Sequence, residues 1–114
     1  MNATIWHNPK CSKSREALEL LHVMGIDVEV VKYLQSSPSK EEITDLLARL
    51  KIAPRELMRT KEDLYKELEL HDEVNDEKLI DAMVSHPKLI ERPIVITEKG
   101  AVIGRPPEKI LELF

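Results

Sequence analysis

The sequence predicts an α/β fold that opens with a βαβ unit, closes with a ββα unit and carries helices between them. Three observations lead there. First, a β-rich segment, a helical pattern and a second apolar strand follow one another in about 30 residues, the length of a parallel βαβ unit. Second, the middle of the chain keeps a helical period of apolar residues. Third, near the end, two apolar runs flank Glu98-Lys99-Gly100, which is turn chemistry for a hairpin.

Each element has its own local reason. Ala3 to His7 is short and β-rich, and Asn8-Pro9 stops it. From Ser14 the chain turns helical, with Ala17, Leu20, Leu21 and Met24 on one face and Gly25 suited to the C-terminal cap. Val28 to Tyr33 is the second strand. Ser39 and Glu42 form a capping box for a helix whose Ile43, Leu46, Leu47 and Leu50 fall at i, i+3, i+4 and i+7. Pro54 opens a short helix through Leu57, and Glu62 to Leu68 adds a further turn or two. Asn75 or Asp76 caps a helix bearing Leu79, Ile80, Met83 and Val84, which Pro87 ends. Pro93 to Thr97 and Ala101 to Ile103 make the hairpin. Pro106-Pro107 then starts a terminal helix with Ile110, Leu111 and Phe114. This order is that of a thioredoxin-like fold with a helical insertion between its N-terminal βαβ and C-terminal ββα units.

The chain has 114 residues, enough for a single domain over 1–114 and too few for two. A net charge of −4 argues against nucleic acid as a partner, because no excess of cations exists to displace counterions. No apolar run is long enough to span a membrane, and the N-terminus lacks the pattern of a secretory signal. The single cysteine cannot form an internal disulfide, so a cytoplasmic location is expected.

That cysteine lies in HNPKCSKSR, His7 to Arg15, between the first strand and the first helix. Unpaired backbone N–H groups at such a helix start bind anions and lower thiol pKa values. A free cysteine is more commonly a small buried hydrophobe. Here Lys10, Ser12, Lys13 and Arg15 surround it, and none suits a dry core. A thiol of pKa about 8.5 is roughly 3% ionised at neutral pH, and a depression of two units makes it mostly thiolate. Cys11 is therefore read as a nucleophile. Arg15, the other nearby cations and a Ser12 or Ser14 hydroxyl can stabilise its charge, and His7 is placed to help. Ser14 stands where a Cys-x-x-Cys pair carries its second sulfur, so an external thiol must complete any redox cycle. Glutathione is the abundant cytosolic candidate. Only three residues separate Cys11 from Arg15, where a phosphatase loop needs five. His22, His71 and His86 share no metal-ligand spacing with Cys11, and no metal is expected.

A second informative segment is ERPIV, where Pro93 opens a strand without donating to the ladder. Thioredoxin-like folds place a cis-proline at this point, facing the reactive cysteine.

Four segments in order, HNPKCSKSR, RELMRT, LIERPIV and GRPPE, resemble the glutaredoxin-coupled arsenate reductase family from about Thr4 to Leu113. The resemblance implies that Cys11 attacks arsenate and that Arg59, Arg92 and Arg105 bind the oxyanion. It also implies that His7 and Ser14 keep the thiolate stable. Guanidinium forks suit tetrahedral oxyanions, since they pair through charge-assisted, often bidentate bonds. Glutathione would be the co-substrate and glutaredoxin the partner, with no bound cofactor. Two features depart from the family pattern: Ser12-Lys13 stands where Gly-Thr is usual, and the chain ends at Phe114 where well-known members continue. Two other readings fit the same cysteine: a glutathione-dependent thiol oxidoreductase with another substrate, and a transcriptional regulator of related fold that binds RNA polymerase.

Overall fold

The computed structural model describes every residue from Met1 to Phe114, and its contacts divide the chain into two compact units. The first comprises Met1–Ser36 and Arg92–Phe114, the second Ser37–Glu91. No helix is long and apolar enough to cross a membrane.

In the first unit, strand β1 (Asn2–Trp6) leads into helix α1 (Ser12–Val23) and strand β2 (Asp27–Val31). After the intervening unit come β3 (Ile94–Thr97) and β4 (Gly100–Ile103), then a 3₁₀ segment over Pro107–Leu113. The four strands form one sheet in the order β2-β1-β3-β4. β1 pairs parallel with β2, Ile5 opposite Val30, and antiparallel with β3, Ile5 opposite Val95. Thr97 faces Gly100 across the β3–β4 hairpin. β1 is thus an inner strand, which explains why Ala3, Ile5 and Trp6 are all buried whereas β2, at the edge, leaves Val30 exposed.

An apolar cluster packs the sheet against α1 and the terminal segment. Ala3, Ile5 and Val95 from the sheet meet Ala17 and Leu21 of α1, Ile26, and Ile110 and Leu113 of the terminal segment. Ala17 and Leu21 are one turn apart, so α1 turns one stripe inward and its charged residues outward. Gly25 ends α1 with φ of +73°, a backbone state that costs glycine little.

The second unit is helical. It contains α2 (Lys40–Leu50), a 3₁₀ turn over Pro54–Leu57, α3 (Asp63–Glu67), a 3₁₀ turn over Leu70–Asp72, α4 (Asp76–Ser85) and a last one over Pro87–Leu89. Ile43, Leu46 and Leu47 of α2 are buried, as are Leu79 and Met83 of α4. Asn75 caps α4, its side chain accepting the Glu77 N–H at 2.9 Å. Arg55 ties the middle of the unit: its guanidinium donates to the Leu70 and Glu73 carbonyls and to the Tyr65 hydroxyl.

The structure refines several sequence expectations. α1 begins at Ser12 rather than Ser14, because Arg15 N–H already bonds to the Cys11 carbonyl at 3.0 Å. β2 ends at Val31, before the turn in which Tyr33 N–H reaches the Val31 carbonyl. The terminal helix is 3₁₀ throughout, so Ile110 and Leu113, three apart, share the inner face and Leu111 is exposed. The turn at Leu70–Asp72 carries no sequence signal; Arg55 supplies it from a distance.

Candidate active site

The loop from β1 to α1 is built by short local bonds. Asn8 Oδ1 accepts the Lys10 N–H at 3.0 Å, and the Cys11 N–H donates to the Asn8 carbonyl at 3.0 Å. This tight turn delivers Cys11 to the N-cap of α1 in an extended conformation, φ −94° and ψ 122°. Arg15 reaches back from the first turn and donates to the Pro9 carbonyl at 2.9 Å, so its guanidinium pins the loop.

Cys11 is a partly exposed free thiol. Partial burial alone would push its pKa up. The Ser14 N–H, the charge of Arg92, the Lys13 N–H and a hydrogen bond from the Arg92 side chain outweigh that burial and hold the thiol below its ordinary value. Helix geometry accounts for two of these groups, since the first-turn N–H donors have no partner within the helix. A negative charge on the sulfur offers them one.

His7 and Ser14 form a buried polar pair. Ser14 is fully buried, and its Oγ accepts the Asn8 N–H at 3.0 Å and shares a 2.6 Å hydrogen bond with His7 Nδ1. His7 is itself buried, and burial, then the charges of Lys32 and Arg15, push its pKa down. It is therefore a neutral imidazole near neutral pH, joined to Ser14 and through it to the Asn8 backbone.

Two of the sequence-predicted arginines come together in the same unit. The Arg92–Pro93 peptide is cis, and Arg105 Nη1 donates to the Arg92 carbonyl at 3.3 Å. The Arg105–Pro106 peptide is also cis, which nothing in the sequence signals. Gly104 makes this approach possible. Its N–H donates to the Pro93 carbonyl at 2.8 Å, and an added Cβ would stand 3.0 Å from Pro93 Cγ and 3.2 Å from an Ile110 methyl. In the sequence Gly104 reads as an ordinary turn residue; its place directly before Arg105-Pro106-Pro107 is the signal that marks it.

Arg59, the third predicted arginine, belongs to the helical unit. Its N–H donates to the Leu89 carbonyl at 2.7 Å, and its Nη1 lies 3.3 Å from Glu62 Oε2. Glu62 is absent from the sequence-predicted site, although its i, i+3 spacing from Arg59 is there to be read.

A depressed thiol at an open helix end, faced by a guanidinium, is an arrangement for nucleophilic attack on an anion. The description of the ArsC family matches residues 6–113. An arsenate reductase of Neisseria meningitidis is 49% identical over 108 residues, covering 93% of this chain and 92% of its own. A protein of Escherichia coli K12 named YfgD and described as uncharacterized is 55% identical over 111 residues, 96% of this chain and 93% of its own. Among solved structures, an arsenate reductase from Vibrio cholerae superposes with a TM-score of 0.97 at 53% identity, covering 100% of this chain and 98% of the other. With a thioredoxin-like fold, a cysteine opening α1 and a family match over nearly its whole length, the chain belongs to the ArsC family.

Proposed function

We propose that this protein is a cytoplasmic, single-domain thiol-dependent oxidoreductase that reduces arsenate to arsenite. The observation that carries the reading is the Cys11 thiol, depressed by α1 backbone N–H groups and by Arg92, in a chain of the ArsC family. Arsenate reductases of 49% and 53% identity support the substrate.

In this reading Arg59, Arg92 and Arg105 bind the oxyanion, and Pro93 lines the site. The Cys11 thiolate attacks arsenic(V): a sulfur–arsenic bond forms, and one arsenate oxygen leaves as water after taking up two protons. A glutathione thiolate then attacks the Cys11 sulfur. As the sulfur–sulfur bond forms, the sulfur–arsenic pair of electrons passes to arsenic, and arsenite departs. Glutaredoxin finally attacks the glutathione sulfur of the mixed disulfide, and Cys11 returns as thiolate. Ser14 in place of a second cysteine supports an external resolving thiol.

Arsenate and phosphate match in shape and charge, so selectivity comes from chemistry: arsenic(V) accepts two electrons from thiols, and phosphorus(V) does not. The test couples the protein to glutathione, glutaredoxin, a disulfide reductase and NADPH. Arsenate should start NADPH oxidation, phosphate should only compete, and Cys11→Ser should be inert. No turnover beside an active family reductase would overturn the reading.

A further inference from the structure

Arg59 sits in a charged trio assembled from two turns of the helical unit. The pairing of Met58 with Ile90, and the bond from Arg59 N–H to the Leu89 carbonyl, lay residues 58–59 beside residues 88–90. Glu62 N–H donates to the Arg59 carbonyl at 3.0 Å, closing a turn that returns the Glu62 side chain towards Arg59. The carboxylate then bridges two cations. Oε2 lies 3.3 Å from Arg59 Nη1, and Oε1 lies 3.3 Å from Lys88 Nζ. The Glu62 side chain is only 20% exposed, against 27% for Arg59 and 54% for Lys88, so the shared carboxylate is the least screened of the three.

A carboxylate beside an anion-binding arginine would by itself cancel the charge that attracts the anion. Lys88 changes that balance: two cations and one carboxylate leave the trio with a net positive charge. Arg59 also keeps donors to spare, since a guanidinium carries five N–H bonds and Glu62 lies against one end of it. A long arginine side chain loses much rotamer freedom when it clamps a ligand, and one already held loses less.

With Arg59 taken as an oxyanion ligand, we propose that Glu62 is a positioning residue that presents the Arg59 guanidinium to the anion, while Lys88 balances its charge. Sulfate, a tetrahedral anion that thiols do not reduce, gives a readout independent of turnover: the concentration that half-protects Cys11 from iodoacetamide. Arg59→Ala should raise that concentration by roughly tenfold or more. Glu62→Ala should raise it about fivefold when Arg59 is present and leave it nearly unchanged in the Arg59→Ala background. Glu62→Gln keeps an oxygen for Arg59 to donate to, so its value should fall between those of the native protein and Glu62→Ala. The Glu62 side chain makes no capping bond to α3, so Glu62→Ala removes none, and the milder Glu62→Gln preserves the shape of the side chain besides.

Tighter sulfate binding by Glu62→Ala would make the carboxylate a competitor of the anion and overturn the proposal. An unchanged value, or equal weakening in both backgrounds, would overturn it as well. If Arg59→Ala itself protects like the native protein, Arg59 leaves the site and the Glu62 proposal falls with it. Arsenate turnover through Cys11 is measured separately and can survive that result.

Discussion

Helices α1 and α2 begin in opposite ways. At α2, Ser39 Oγ accepts the Glu42 N–H at 3.1 Å, Glu42 Oε1 accepts the Ser39 N–H at 3.0 Å, and Glu41 and Glu42 place acids in the first turn. At α1, Cys11 occupies the cap without a strict side-chain capping bond, and no acid stands in the first turn. The Ser14 and Lys13 N–H groups nevertheless lower the cysteine's pKa. Every α-helix starts with donors that lack partners. α2 closes them with its own side chains and gains stability. α1 leaves them facing the sulfur and gains a thiol that ionises more readily.

The strongest way to break this contrast is to remove the cation that joins the open end. Arg92→Gln should move the Cys11 alkylation inflection upward and slow alkylation at neutral pH by roughly tenfold or more, as expected for losing a hydrogen bond to a charged group. Arg92→Lys should recover only part, because the charge returns without the fork. Next in size, Ser39→Ala should cost about 1 kcal/mol in denaturant unfolding and leave the alkylation profile of Cys11 unmoved. A shifted profile there would mean that the two helix ends are not independent. Lys13→Glu puts an acid into the first turn of α1 and should raise the inflection by a few tenths of a pH unit, from an effect of about 0.3–1 kcal/mol.

The smallest effect concerns acid stability. His7 has a folded pKa below its ordinary 6.5, so the unfolded chain binds the proton first. Its contribution is present above pH 6.5 and is lost as the pH falls from there towards the folded value. His7→Gln should flatten stability across that window in a urea series. An unchanged slope would show that other groups set it.

Much of this contrast is legible in the sequence. The capping box needs only Ser39 and Glu42 at the right spacing, and Cys11 stands out because a βαβ pattern puts it at a helix start. Local signals of that kind survive in a linear reading. What escapes depends on contacts between distant segments. The 3₁₀ turn at Leu70–Asp72 takes a bond from Arg55, fifteen positions earlier. Gly104 matters because Pro93 and Ile110 crowd it. The exposure of Leu111 follows from a three-residue period where a helical one is expected. Family register points to Arg105, but its bond to the Arg92 carbonyl has no counterpart in spacing.

Ser14 carries a consequence for how such a protein changes its redox type. A cysteine at that position would turn the motif into a dithiol, and on paper one substitution suffices. The site resists it. Ser14 is wholly enclosed, and its oxygen is a short 2.6 Å from His7 Nδ1 while also receiving the Asn8 N–H. Sulfur is larger and a weaker acceptor, so the exchange crowds the histidine and leaves a backbone donor poorly satisfied, at about 1–3 kcal/mol for a buried group. A passage between one-thiol and two-thiol chemistry therefore runs through His7 and Asn8 as well. On the proposed one-thiol reading, the packing around Ser14 holds the protein to an external reductant as much as the identity of one atom does.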